Sequence, residues 1–204
     1  TVMSLAGYVY PNVYGSAAAQ STASLLGTVV MLIVCAPFAS KLAAKFGKKE
    51  LAVASSICSA LVWLVCLICR PASVWGFVAC YILANIGMGF FNTIIWAMIT
   101  DVIDDAEVRS GIREDGTIYS VYSFARKLGQ AFSSGLVGAL LGIIGYTEAT
   151  AFDPAVTRGI FNMACIAPII GFVCIVLALV FLYPLNKKKV EENVAALAAR
   201  RNSK

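Results

Sequence analysis

The sequence predicts an all-α membrane protein, and three observations carry that prediction. Hydrophobic residues make up 60% of the 204 residues and charged ones 13%, about half the charged share usual in a soluble domain. The apolar residues gather in blocks of roughly 18 or more, the length a helix needs to cross a ~30 Å hydrocarbon core. The basic residues sit mostly in the breaks between those blocks, on one side of the implied membrane.

Taken in order, residues 1–15 are apolar and aromatic and end at Pro11, Asn12 and Gly15. They are too short to span, and read as the outer end of a helix whose start lies upstream. No basic leader precedes them, so no cleavable signal peptide is expected. A run over 21–40 follows, broken only by Pro37, which predicts a kink. Residues 41–49 (KLAAKFGKK) read as a short basic loop, and the next run covers 51–69 before Arg70 and Pro71. Residues 74–100 form a further run, with Trp75 and Tyr81 placed as an interfacial aromatic belt. A charged loop over 101–115 leads to a run over about 118–145, and a polar connection over 146–158 leads to the last one, about 160–183. Residues 1–186 thus read as a bundle of five full spans and one partial span, and 187–204 as a basic tail. In that tail Val190, Val194 and Leu197 recur at i, i+4 and i+7, which fits either a surface-lying amphipathic helix or a solvated tail.

Charge sets the orientation. Placing the 41–49 loop inside also brings inside Lys41, Lys45, Lys48, Lys49, Arg109, Arg113, Lys187, Lys188, Lys189, Arg200, Arg201 and Lys204. Only Arg70 and Arg158 then lie outside, a strong positive-inside bias that makes the tail cytoplasmic. The net charge of +5 is therefore a topology signal, and no nucleic-acid partner is expected. The seven cysteines all lie in apolar runs and there is no histidine, so they read as small packing residues with no metal or redox role.

Chemistry concentrates in the run after Gly116. Tyr119, Ser123, Lys127, Gln130 and Ser134 are spaced to share one helix face. An ammonium inside a membrane helix costs about 3 kcal/mol or more, so a lysine kept ten residues into the run marks a functional group. Hydroxyls, an amide and a cation on one stripe suit a helix that lines a water-filled path. Arg126, nearer the membrane edge, is expected to snorkel to it. Asn85 and Asn92 share a face of the preceding helix, either bonding to neighbours or lining the same cavity. Gly135, Gly138, Gly142 and Gly145 form a small-residue face suited to close helix packing.

The acidic stretch Asp101, Asp104, Asp105 and Glu107 has a spacing that could hold Mg²⁺ and a diphosphate. Enzymes of that type need a second aspartate-rich motif, and none is present. Arg109 and Arg113 lie close by, so salt bridging at the membrane edge is the expected role. The chain does not read as an enzyme, and no metal site or cofactor is expected.

The stretch WAMITDVIDDAEVRSGIREDGTIYSVYSFARKLGQA resembles the signature between the tenth and eleventh helices of the glycoside–pentoside–hexuronide:cation symporters, a melibiose-permease-like branch of the major facilitator superfamily. Asp101, Asp104, Glu107, Arg113 and the Lys-Leu-Gly-Gln-Ala of 127–131 carry it. The Tyr-Val-Tyr-Pro-Asn-Val-Tyr-Gly of 8–15, the segment from Pro37 to Lys49, and the ending Tyr-Pro-Leu-Asn-Lys-Lys are also similar. The resemblance covers the whole chain. It implies the six-helix C-terminal half of such a transporter, its first helix incomplete, lying in a lipid bilayer that is a bacterial inner membrane. It further implies a sugar substrate, with co-transported Na⁺ or H⁺ held mainly in an N-terminal six-helix partner half. Lys127 would then be the residue linking cation and sugar sites, with Tyr119, Ser123, Gln130, Asn92 and Trp96 lining the cavity. Asp101, Asp104, Glu107 and Arg113 would form the cytoplasmic loop motif. Two departures stand out: Asp105 and Ala106 replace a Tyr-Gly pair, and Asn92 stands where the family's melibiose carriers have a sugar-contacting tryptophan. Lipid-type substrates, or a membrane subunit that does not itself transport but pairs with another chain, are the alternatives.

Overall fold

A computed structural model describes residues 2–202; Thr1 and Lys204, used in the sequence reading, lie outside the described residues. The elements are α1 (Val2–Tyr14), α2 (Ala17–Val30), a widened π turn (Met31–Cys35), α3 (Ala36–Phe46), α4 (Lys48–Cys69), α5 (Val74–Ser110), α6 (Asp115–Ile143), α7 (Pro154–Phe181) and α8 (Lys187–Asn202). No strand occurs among the described residues. Ala17–Phe46, Lys48–Cys69, Val74–Ser110 and Pro154–Phe181 are long and apolar enough to cross a membrane. At 29 residues α6 is long enough too, but its serines, Arg126, Lys127 and Gln130 lower its apolarity.

The helix boundaries follow local chemistry. Pro37 has no N–H, and its ring crowds the carbonyl four residues earlier. The chain answers with the π turn just before it, where the Ala36 N–H donates to the Met31 carbonyl, so the predicted kink takes the form of an underwound, widened turn inside one continuous rod. The predicted basic loop over 41–49 is mostly helix. Lys41 and Lys45 complete α3, Gly47 turns the chain at φ +104°, and Lys48 and Lys49 begin α4.

A larger departure concerns α5. It has 37 residues, about 55 Å at 1.5 Å per residue, and runs ten residues past the expected end of its span. Asp101, Asp104 and Glu107 are therefore helical. Nothing before Gly111 breaks the helix; there φ reaches +77° and the Gly111 N–H donates to the Glu107 carbonyl at 2.9 Å. Only 111–114 remain as loop.

The main core lies between α1, α4, α5 and α7. Leu5, Tyr10, Trp63, Phe77, Tyr81, Ile160, Phe161 and Cys165 are buried in it. Phe77 is its centre, with ring centroids of Tyr10, Trp63 and Phe161 at 5.4, 6.0 and 5.9 Å. Tyr81, expected in an interfacial belt, is a core residue, whereas Trp75 is 59% exposed at the rim. All seven cysteines are free, with Cys35, Cys66 and Cys165 buried.

Close helix approach occurs at glycines the spacing did not single out. A Cβ on Gly87 would collide with the Ser59 hydroxyl and lie 2.5 Å from the Ser55 carbonyl oxygen, and one on Gly89 would lie 2.6 Å from Cys35 Sγ. The Ser59 hydroxyl crosses this seam and donates to the Ala84 carbonyl at 2.9 Å. By contrast, no described atom lies within 4 Å of a Cβ built on Gly135, Gly138, Gly142 or Gly145. That glycine face, expected to pack, meets no helix of this chain.

The tail is a docked helix rather than a solvated strand of chain. Asn193 and Leu197 of α8 are buried, while Val194 is 53% exposed. The buried stripe thus keeps Leu197 of the predicted apolar one but takes Asn193 in place of Val194, because a side-chain amide and not a valine meets α5.

Gly87→Val should separate α4 from α5 and lower the thermal unfolding midpoint, in line with overpacking costs of about 1–3 kcal/mol. An unchanged midpoint in detergent would contradict the seam.

Candidate functional site

Two groups of residues are brought together by α5 and its neighbours. The first lies at the lysine-rich end. Asp101, only 4% exposed, pairs with Lys48 Nζ at 2.5 Å, and the same ammonium reaches the Ala97 carbonyl at 3.4 Å. One turn on, Asp105 accepts from Asn193 Nδ2 of α8 at 2.9 Å and pairs with Arg109 at 2.8 Å. Arg113 leaves the 111–114 loop and turns back. It meets Asp104 at 3.0 Å, Glu107 at 2.8 Å and Asp115 at 2.9 Å. These carboxylates, Glu107 foremost, raise the Arg113 pKa above its ordinary value, so the guanidinium stays charged.

The tail closes the group. Arg200 donates to the carbonyls of Glu107 and Val108 at 3.2 and 2.9 Å, capping the negative end of α5, and Arg201 approaches Glu107 at 3.8 Å. Lys49 Nζ donates to the Tyr183 carbonyl at 2.7 Å, and Lys187 Nζ to that of Lys45 at 3.2 Å. The ends of α3, α4, α5, α7 and α8 are thereby tied into one charged clasp. The short-range pairs of Arg109 and Arg113 were legible from spacing. Lys48 and Asn193 were missed: their side of the membrane was readable from the charge bias, but no spacing pointed to their partners.

The second group lies higher on α5 and α6. Trp96 stacks on Tyr119, with centroids 6.5 Å apart and planes at 27°, and takes Tyr122 edge-on at 5.3 Å. Arg126 lies over the Trp96 ring at 5.5 Å, a cation–π contact. Tyr119, Tyr122 and Arg126 are spaced i, i+3 and i+7, so this is the face by which the lower part of α6 meets α5.

Lys127 is one residue further round and exposed, with no hydrogen bond or ion pair among the described residues. Ser123 and Gln130 share its exposed stripe, and Ser134 Oγ turns back to the Gln130 carbonyl at 3.1 Å. Asn92 is half-buried one turn before Trp96, while Asn85 Nδ2 bonds its own helix at the Tyr81 carbonyl, 2.8 Å away. The structure thus joins Trp96 to Tyr119 and leaves Ser123, Lys127 and Gln130 on an open face. The opposite face of α6 is open as well: Val121 is 64% and Phe132 71% exposed, and Phe124, 69% exposed, lies between the two faces. Only Val137 and Leu141, near its far end, are buried.

Replacing Lys48 by Met should destabilise the protein, because Asp101 would be left buried without its cation, a loss of about 2 kcal/mol given the partial exposure of Lys48. Adding Asp101→Asn should restore most of it. Additive losses in unfolding midpoint would contradict the pairing.

The sequence matches proteins of one kind. A glucuronide carrier protein homolog of Escherichia coli is 29% identical over 180 residues, covering 87% of this chain and 38% of that protein. An uncharacterized symporter of Bacillus subtilis is 34% identical over 152 residues, covering 74% of this chain and 33% of that protein. A putative sulfoquinovose importer of Escherichia coli is 29% identical over 182 residues, covering 87% of this chain and 37% of that protein. The chain therefore spans less than two-fifths of the length of these relatives. Residues 1–187 match the family model described as MFS/sugar transport protein. With four apolar helices of spanning length and this match along nearly all its length, the chain is a multi-pass membrane protein and belongs to the MFS/sugar transport protein family.

Proposed function

We propose that the chain forms the C-terminal half of a secondary active transporter that couples sugar movement to a cation. The observation that carries this reading is the open polar stripe of α6. A stripe bearing Ser123, Lys127 and Gln130 is unsuited to lipid, and the opposite face bearing Val121 and Phe132 is unsuited to water. A helix of that kind belongs at the border between lipid and an aqueous path. Transporter sites of this class lie near the membrane midplane, between two halves. A second helical half would supply the wall that this chain leaves open beside Lys127.

In this reading Lys127 couples the cation to the solute, and Tyr119, Ser123, Gln130, Asn92 and Trp96 line the solute cavity. Trp96 is suited to stacking on a sugar ring, and its contacts with Tyr119 and Arg126 orient it. The charged clasp lies at the cytoplasmic side of a bacterial inner membrane, as the excess of lysine and arginine there supports. The substrate class is a glycoside, pentoside or hexuronide. The names of a glucuronide carrier homolog and a putative glycoside/cation symporter of Escherichia coli, 34% identical over half of this chain, support that class. The cation, Na⁺ or H⁺, would be held mainly by the other half.

The test is accumulation by the full-length protein in sealed vesicles, with and without a sodium or proton gradient, against a panel of glycosides and uronides. Gradient-dependent uptake of one sugar is expected, with Lys127→Ala abolishing accumulation and Lys127→Arg retaining part of it. Wild-type accumulation in Lys127→Ala would remove the lysine from its role. Absence of sugar uptake by folded protein, with uptake of lysolipids instead, would replace the substrate class.

A further inference from the structure

A cavity lies at the opposite end of the bundle from the charged clasp. It has a volume of about 340 Å³ and is formed where α1 ends, α4 turns into α5, and α7 begins, with Tyr14, Arg70, Pro71, Thr157, Arg158 and Phe161 among its lining residues. The only two lysines or arginines assigned to this side of the membrane, Arg70 and Arg158, both line it, and no carboxylate does.

Neither arginine pairs with a carboxylate among the described residues, and the nearest one in sequence to Arg158 is Asp153 at the N-cap of α7. Arg70 donates from Nη2 to Asn162 Oδ1 at 3.0 Å, an amide and not an anion. Asn162 lies one helical turn after Arg158, so the pinned guanidinium of Arg70 is brought to the same face of α7 as Arg158. Arg158 itself has no hydrogen bond or ion pair among the described residues. Two guanidiniums on one face repel each other unless an anion lies between them. The cavity also opens on the first turns of α7, the positive end of that helix dipole.

The backbone shows that an arginine is held here against its preference. Arg70 closes α4 in the left-handed region at φ 42°, the one non-glycine residue with positive φ among the described residues. Glycine is the residue this position favours, and a strained non-glycine residue in a cavity wall is a marker of a functional site. The turn is fixed in place by Tyr14, whose hydroxyl donates to the Pro71 carbonyl at 2.8 Å.

We propose that this cavity is a binding site for an oxyanion, a sulfonate, carboxylate or phosphate group, clasped between the Arg70 and Arg158 guanidiniums. Arginine forks match the planar or tetrahedral oxygens of such groups in two-pronged hydrogen bonds, and Phe161 and Pro71 give an apolar wall to whatever body carries the group. The site lies at the rim of the bundle, away from Lys127 and Trp96, and does not depend on the transport reading. Two sources of the anion share this chemistry: a soluble organic anion, and the phosphate of a lipid headgroup in the adjoining leaflet.

The test uses the full-length protein in phosphatidylcholine nanodiscs, its thermal unfolding midpoint titrated with methanesulfonate and, as a neutral control, dimethyl sulfone. Saturable stabilisation by methanesulfonate alone is expected. Arg158→Gln and Arg70→Gly should each weaken it at least tenfold, with Arg158→Lys weakening it less. Arg70→Gly also relieves the left-handed strain, so it should fold at least as well as the wild type and keep the test readable. If phosphatidylglycerol in the nanodisc abolishes the wild-type response, the headgroup is the source; if the response persists, a soluble anion is. Equal responses in wild type and both variants, or no response in either bilayer together with no stabilisation by phosphatidylglycerol that Arg158→Gln removes, would overturn the proposal.

Discussion

A lysine ammonium on one face of α6, and exposed Val121, Leu128 and Phe132 on the face away from it, impose the constraint on which the rest of this structure turns. α6 cannot satisfy both faces in one medium. Lipid suits Val121, Leu128 and Phe132, and water or a polar partner suits Ser123, Lys127 and Gln130. The chain itself covers neither face over most of the helix. What it supplies is a fixed footing. Trp96 holds the lower part of α6 through Tyr119, Tyr122 and Arg126, and Val137 and Leu141 bury its far end.

That footing depends in turn on α5. Because this helix continues past its apolar span, it carries Asp101, Asp104, Asp105 and Glu107 on a rigid rod and not on a loop. Each carboxylate then meets a cation or amide from a different element: Lys48 of α4, Asn193 of α8, and Arg113 at the base of α6. Arg113 is the covalent link between this clasp and the striped helix, only two residues before α6 begins. Any tilt of α6 must therefore be answered at three carboxylates. Exposed ion pairs are individually weak, so such a junction can re-form in a new arrangement at small cost.

Much of the architecture was legible in the sequence, for physical reasons that also explain what was not. Blocks of apolar residues are a direct record of the bilayer thickness, so the run at 51–69 lies within the observed α4 and that at 160–183 overruns the end of α7 by only two residues. Charge was a poorer guide to helix ends. The acidic stretch after Thr100 read as loop because it leaves the apolar block, yet helix formation needs only the absence of breakers, and none occurs before Gly111. Contacts between elements were beyond reach. Lys48 and Asp101 are 53 residues apart, Asn193 and Asp105 88 apart, and no periodicity connects them. Glycine misled in both directions. The regular series from Gly135 to Gly145 meets no neighbour in this chain, while Gly87 and Gly89 allow the closest helix approaches. For the candidate site, the stripe of Tyr119, Ser123, Lys127 and Gln130 followed from the 3.6-residue period, whereas the stacking of Tyr119 on Trp96 joins two helices and did not. The cation–π contact of Arg126 did not, since its aromatic partner sits on another helix.

The central claim, that one face of α6 borders water and the other lipid, has a direct measurement. In a full-length protein stripped of its native cysteines, single cysteines would be placed at 121, 123, 127, 128, 130 and 132 and exposed to a membrane-impermeant thiol reagent. The account predicts labelling at 123, 127 and 130 and protection at 121, 128 and 132. Uniform protection, or labelling that ignores this helical period, would contradict it.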